Sequence, residues 1–278
     1  MKFDLRESAK DHILIAAHRG ASGGNIPCNT LPAYETALKQ GADMIEVDVD
    51  KTADGVLVVF HPGMERSHLG FDGSIERMSY AEVKELRYQN FDRTPTQFGL
   101  CTFDEVLERF RDRCYINVDK FWGNPVEIYE AIHRHRMIEQ TVVKSAPSER
   151  VFSVLEEVAP DLPFLPIVRE RLDCHEELLR RKIRYIGAEV LFSSDDSPVA
   201  APEQIEKMHR AEKIVWVNSI IYNYKDQLAA GHSDDLALVR SEEEGWGWLA
   251  DRGFDIIQTD WTMMLRDYLE KTGRYRRS

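Results

Sequence analysis

The feature that most limits what this chain can fold into is a repeated alternation. Short β-branched runs recur near residues 13–18 (ILIAAH), 43–49 (DMIEVDV), 114–119, 141–145, 163–168, 184–190, 213–218 and 255–260, with helix-like stretches between them. Runs of this kind suit strands covered on both faces, as in parallel sheets. Eight βα units within 278 residues predict an α/β fold, a (β/α)8 TIM barrel. A doubly wound sheet is the alternative, but no GxGxxG follows the first run. Helix signals fill the gaps. Thr30 precedes the periodic set Leu31, Tyr34, Ala37 and Leu38, and Gly41 closes it. Ser79 with Glu82, and Thr102 with Glu105, have capping-box spacing. Pro202 opens a helix that sets Ile205, Met208 and His209 on one face.

One gap is far longer than the rest. After the second run comes VDVDKTADGVLVVFH, where Thr52 to Gly55 separate two β stretches, a hairpin signal instead of a crossover. The polar residues that follow, about 62–99, hold one convincing helix and read as a cap inserted over the barrel mouth. The whole of 1–278 reads as one barrel domain carrying this insertion.

Apolar residues make up 43% of the chain, ample for a core. Acidic residues outnumber basic ones by 48 to 36, and a net charge of −12 argues against a global grip on nucleic acid or an anionic membrane. No apolar run reaches the roughly 20 residues of a membrane span. The charged start MKFDLRESAKDH lacks the apolar segment of a signal peptide. Cys28, Cys101, Cys114 and Cys174 are scattered, as in a cytoplasmic chain with free thiols. A cytoplasmic location is the expectation, and the oligomeric state stays open.

The chemistry gathers at the ends of the strand runs. Glu46 and Asp48, two apart in IEVDV, face one side, while Ile45, Val47 and Val49 face the other. Two carboxylates then point into the barrel near a C-terminal strand end, where such barrels keep their active sites. Bare anions repel there at low dielectric. A divalent cation with oxygen ligands removes that cost, and a basic side chain is the alternative partner. The hairpin brings His61 back beside them. A four-residue loop at 52–55 sets it opposite Glu46, and a two-residue Asp54-Gly55 turn sets it opposite Asp48. His18 and Arg19 end the first strand in AAHRG, ahead of Gly20, Gly23 and Gly24, a plausible anion grip. Asn117 and Asp119 share a face in INVDK, so Asp119 brings a third carboxylate to the mouth, or else caps the next helix.

These residues stand in an order that resembles a known family. The run AHRGASGGNIPCNTLPAYETALKQGADMIEVDVDKTADGVLVVFHP is similar to the glycerophosphodiester phosphodiesterase signature of HRG, PENT, GADxIExDV, TxDG and VVxHD. Weaker echoes continue through CTFDEVLERF, INVDK, VVKS, WVNS and IIQTDW. The resemblance implies a TIM barrel with a small cap and one divalent cation, Ca²⁺ or Mg²⁺, on Glu46, Asp48 and the acidic residue ending the third strand. It implies His18 and His61 as the catalytic pair, Arg19 as a phosphate ligand, and cleavage of small glycerophosphodiesters to glycerol 3-phosphate and an alcohol.

The chain departs from the pattern in three places. Cys28 replaces the glutamate of PENT and reads as helix-start packing. Pro62 replaces the aspartate after the second histidine. Lys120 follows Asp119 at once, where the family spaces Glu-x-Lys; on a continuing strand it faces away, which leaves Lys144 in VVKS as the substitute phosphate ligand or as a barrel-layer ion pair. Glu189 and Trp216 end the sixth and seventh strands as further substrate-side candidates, with a polar barrel layer and a filled barrel top as their alternatives. Asp260 is followed by Trp261-Thr262 where relatives often have Arg-Pro. The GHSDD run 231–235 reads as a solvated loop capping a helix, and Trp246/Trp248 and Tyr222/Tyr224 read as packing. Two rivals remain open. One is the same chemistry on a lysophospholipid (lysophospholipase D type) or on a sugar or inositol phosphodiester. The other is a sugar-phosphate-binding barrel without catalysis.

Overall fold

A computed structural model of the chain describes residues 3–221 and 223–275; Tyr222 and the residues at the two ends lie outside them. Eight parallel strands form a closed ring: β1 (Leu14–Ala17), β2 (Met44–Lys51), β4 (Tyr115–Asp119), β5 (Thr141–Ser145), β6 (Phe164–Arg169), β7 (Gly187–Leu191), β8 (Ile214–Asn218) and β9 (Ile256–Thr259). The ring closes through β1, which pairs with both β2 and β9. The chain is a TIM barrel, and all eight expected runs are ring strands. A further strand, β3 (Leu57–Val59), lies outside the ring and pairs antiparallel with β2.

The inner face changes character along each strand. Leu14, Ala16, Met44, Tyr115, Val142, Leu165, Ile214, Trp216 and Ile256 pack together at the base, joined by Phe3 and by Leu5 of α1 (Leu5–Asp11). Period-2 alternation then brings Glu46, Asn117, Lys144, Asn218 and Gln258 above them, and Asp48 and Asp119 higher still. The intervening residues, among them Ile45, Val47, Val49, Ile116, Val118, Val215, Val217 and Ile257, pack outward against the helices.

Those helices begin where their capping residues stand. Thr30 caps α2 (Leu31–Lys39), and full capping boxes open α3 (Tyr80–Val83) and α4 (Phe103–Phe110). The remaining helices are α5 (Pro125–Arg134), α6 (Glu149–Val158), α7 (His175–Leu178), α8 (Pro202–Arg210), α9 (Asp234–Val239), α10 (Trp248–Arg252) and α11 (Thr262–Lys271). In α8, Ile205 and Met208 are buried, whereas His209 reaches Asp255 at 3.0 Å.

An ion pair fastens α2 to α4. Arg113 grips both Glu35 oxygens, at 2.7 and 2.9 Å, and Arg109 adds a third contact at 2.7 Å. These bonds hold the Glu35 carboxyl down at about 2, against an ordinary value of 4.5. A depressed acid stabilises the fold above its unfolded value and loses that contribution as pH falls through its folded one. Glu35→Gln should therefore cost about 1 kcal/mol near neutrality, the scale of a partly screened bidentate pair. The gap between variant and parent in urea melts should close as the pH is lowered from 4.5 to about 2. An unchanged gap at low pH would refute the assignment.

The hairpin register differs from both expected ones. Val49 faces Val59 and Asp50 faces Val58, one residue away from either expectation. Thr52 pairs with Val56, leaving a three-residue loop that ends in left-handed Gly55 (φ 89°). Asp54 fixes that loop, accepting from Thr52 Oγ1 at 2.6 Å and from the Tyr80 amide at 2.9 Å. The segment after β3 is less polar in place than in sequence. Leu69, Ile75, Val83, Tyr88 and Leu100 pack with Val58 and Phe60 into a small core of their own. Its two ends meet where the Val59 amide donates to the Cys101 carbonyl at 2.9 Å. Among the described residues no helix is long and apolar enough to cross a membrane.

Candidate active site

β2 carries Glu46 and Asp48 on its inner face, and β4 sets Asn117 beside Glu46 and Asp119 beside Asp48. One oxygen from each of Glu46, Asp48 and Asp119 lies within 4.8 Å of the other two. Glu46 and Asp48 are fully buried. Burial first, and then the charge of Asp48, pushes the Glu46 carboxyl up to about 7. Asp48 Oδ1 and both polar atoms of the Asn117 amide are buried without a hydrogen-bond partner. Hard oxygen donors, excess negative charge and unmet polar atoms at one point fit a divalent cation.

Two basic side chains border the cluster. The Arg19 amide donates to Glu46 Oε2 at 2.8 Å, and its Nε lies 3.1 Å from Asp48 Oδ2. Arg19 is left-handed (φ 56°). Gly20 follows with φ 78°, and a Cβ there would sit 2.8 Å from the Ala33 backbone, so only glycine lets this turn close against α2. Lys120 corrects the strand-parity expectation. β4 ends at Asp119, and Lys120 turns back through a left-handed conformation (φ 62°). Its ammonium lies 2.6 Å from Asp119 Oδ2 and 3.9 Å from Asp48 Oδ1. Burial alone would raise the Asp119 carboxyl, but Lys120 outweighs it and holds the group below its ordinary value.

The two histidines come from separate segments of the chain. His18 continues β1, its amide bonded to the Thr259 carbonyl, and Nδ1 meets Asp260 Oδ1 at 2.8 Å. Burial works against its charged form, but Asp260 and then Glu46 outweigh it and leave the imidazole above its ordinary value. His61 lies past the end of β3, where Phe60 still bonds to the Asp48 carbonyl. Chain reversal thus brings His61 to Asp48 although the register is neither of those expected. Burial lowers its imidazole despite the pull of Asp48. His61 Nδ1 donates to the Pro62 carbonyl at 2.9 Å, so the backbone of the departing residue orients the ring. In both rings Nε2 is the nitrogen left for chemistry.

The other expected site residues occupy a layer below. Lys144 Nζ lies 2.5 Å from Glu189 Oε2 and 3.2 Å from Gln258 Oε1, and stands 3.9 Å above the Trp216 ring. Asn218 donates to Glu189 Oε1 at 2.7 Å. Lys144, Glu189 and Trp216 are all buried, Trp216 completely. Lys144 and Glu189 thus pair within a polar barrel layer, and Trp216 packs with the base of the barrel, not its top.

Two contributors escaped the sequence reading. Asn29, left-handed at φ 56°, donates to Asp48 Oδ2 at 2.8 Å while accepting from the Tyr34 hydroxyl at 2.8 Å. Its signal in the sequence is the Asn of the PENT-like CNT, next to the Cys28 departure. In the sequence Asp260 stands only as a strand end; its pairing with His18 follows from the ring closing β9 onto β1. Cys28 is not helix-start packing. It lines a cleft of about 490 Å³ with His18, Arg19, Ala21, His68, Asp260, Trp261, Met263 and Met264. Its Sγ lies 4.0 Å from His68 Nδ1, and burial pushes the thiol up to about 11, so it stays neutral. The four cysteines are all free.

Comparison with known proteins gives this geometry a context. Residues 18–262 match the sequence model of the Glycerophosphoryl diester phosphodiesterase family. A glycerophosphodiester phosphodiesterase of Bacillus subtilis is 30% identical over 182 residues, 58% of this chain and 61% of that protein. The chain thus matches about three fifths of that relative's length. Lysophospholipase D GDPD1 of Homo sapiens is 26% identical over 91% of this chain and 85% of its own. The crystal structure of a glycerophosphoryl diester phosphodiesterase from Parabacteroides distasonis superposes with a TM-score of 0.76 at 16% identity, covering 97% of this chain and 92% of that one.

Proposed function

The chain belongs to the glycerophosphoryl diester phosphodiesterase family, and we propose that it hydrolyses glycerophosphodiesters to glycerol 3-phosphate and an alcohol. The observation that carries this reading is the convergence of three carboxylates, two imidazoles and two basic side chains at one barrel mouth. Simple binding of a sugar phosphate does not call for two imidazoles with free Nε2 atoms beside an acidic cluster. Glu46, Asp48 and Asp119 would hold one divalent cation, Ca²⁺ or Mg²⁺, which when bound stabilises charge on the phosphoryl oxygens. Arg19 and Lys120 neutralise the remaining charge of the phosphodiester. His18 and His61 exchange protons with the attacking and leaving oxygens through Nε2. Either a glycerol hydroxyl of the substrate or His18 itself attacks phosphorus, and trapping a phosphohistidine would select the second route.

Lys144, Glu189, Asn218 and Gln258 form the floor that supports this layer, with Trp216 beneath. We assign the phosphate contact of the resemblance to Lys120, whose ammonium stands in the mouth, in place of Lys144. A cytoplasmic setting is part of the proposal, in keeping with four unpaired thiols.

A second reading has its own observation. Trp261, Met263 and Met264 are each 40–46% exposed and line the cleft beside His18. This apolar lip suits an alcohol bearing a hydrocarbon chain, as in a lysophospholipid. One assay tests both readings: glycerophosphocholine, lysophosphatidylcholine and bis(p-nitrophenyl) phosphate, each with and without Ca²⁺ or Mg²⁺. Hydrolysis of none of them would overturn the proposed activity. If the lip serves the chain, Trp261→Ala should lower kcat/KM for lysophosphatidylcholine about 10-fold, the scale of one lost aromatic contact, and leave glycerophosphocholine unaffected. Equal loss on both would dismiss the lipid reading.

A further inference from the structure

The GHSDD run is not the solvated loop its composition suggests. Ser233 does cap α9, but Asp234 is 2% exposed and accepts four hydrogen bonds. Its Oδ1 takes three of them, from Ser219 Oγ at 2.7 Å, Trp246 Nε1 at 2.7 Å and Thr259 Oγ1 at 2.8 Å. Its Oδ2 takes one, from the backbone amide of Asp260 at 2.9 Å.

The position of that single bond gives it meaning. The β8–β9 ladder ends at Asn218 and Gln258, with one further bond from the Ser219 amide to the Gln258 carbonyl. Beyond it the chain leaves the ring, and the Asp260 amide has no strand to pair with. Asp234 Oδ2 takes the place of the missing rung. Asp260 is in turn the residue whose side chain, 48% exposed, holds His18 Nδ1. A half-exposed carboxylate at a strand end is free to turn unless its backbone is fixed. Burying a second carboxylate beside it is costly before its hydrogen bonds are counted, and a neutral side chain would suffice for packing.

We propose that Asp234 is a positioning residue: by tethering the Asp260 backbone it fixes the Asp260 carboxylate, and through it the Nδ1–H tautomer and orientation of His18. The kinetic part of this inference rests on the proposed phosphodiester hydrolysis; the structural part does not.

The two oxygens of Asp234 allow a selective test. An asparagine side chain keeps one acceptor oxygen, and the site with three donors will claim it. Its NH₂ group then faces the Asp260 amide, donor against donor, and the tether breaks while the anchor stays. Trp246→Phe does the reverse, removing an anchor donor and keeping the tether. With ¹⁵N-labelled histidine, measured above the His18 titration, the parent should show the Nδ1–H pattern, and Asp234→Asn should shift it toward a mixture of tautomers. The same variant should lower kcat about 10-fold with KM nearly unchanged, the cost of a misplaced catalytic group. Trp246→Phe should lose thermal stability yet keep both the tautomer and kcat. Asp234→Glu, which keeps the charge but displaces the oxygens, serves as the second variant should the asparagine chain not fold, and should shift the tautomer likewise. An unshifted His18 pattern in both Asp234 variants, or an equal shift in Trp246→Phe, would overturn the inference. If the parent hydrolyses no phosphodiester the activity proposal fails, and the histidine spectra still decide this one.

Discussion

Replacing His18 with alanine is expected to lower kcat by about 10²–10⁴-fold, the range lost when a positioned acid or base is removed. The fold should survive, because the His18 backbone is held by the Thr259 carbonyl and not by its ring. KM should change little, since the groups proposed to grip phosphate, Arg19 and Lys120, are held by their own contacts with Asp48 and Asp119 and not by the His18 ring. Steady-state kinetics on glycerophosphocholine decide the matter. A variant turning over within a few-fold of the parent would remove His18 from the chemistry.

Chelation should have an effect of the same order. Three carboxylates lie within 4.8 Å of one another with Arg19 and Lys120 as cations in contact with them, and Asp48 Oδ1 is left without a hydrogen bond. Stripping divalent ions should reduce turnover by roughly 10²-fold or more, equivalent to the several kcal/mol a metal supplies to a charged transition state. Added Ca²⁺ or Mg²⁺ should restore it. The pH dependence has a definite sign. In the ion-free protein burial and Asp48 hold Glu46 near 7, and a ligand must be ionised. Apparent affinity, followed by calorimetry, should fall as the pH is lowered through about 7, with proton release on binding. Full activity after exhaustive chelation would dismiss the cation.

Much of this was legible from residue order because the governing periods are short. Alternation by two set Ile45 and Val47 outward and Glu46 and Asp48 inward, and neighbouring strands in a parallel ring place equivalent ends together. What the pattern missed lies where the chain leaves regular geometry. Lys120 defeats parity because the strand stops one residue earlier and the backbone turns left-handed. The hairpin slips by one because Asp54 is held by Thr52 and Tyr80, a contact with a helix distant in sequence. Asp260 and Asp234 matter through ring closure and a buried tether, neither of which any local period encodes. The 62–99 segment reads as polar because its few apolar residues are scattered, and they meet only when folded.

The way the hairpin is attached also bears on how this scaffold can change. Ring closure runs through β1 and β2 and does not involve β3, and the excursion that follows β3 leaves and rejoins the barrel wall at adjoining points, Val59 and Cys101. Such a junction behaves like a socket. Segments of other lengths and compositions can be grafted after His61 without breaking a single rung of the cylinder, so this one module can be exchanged while His61 and the acidic cluster stay intact.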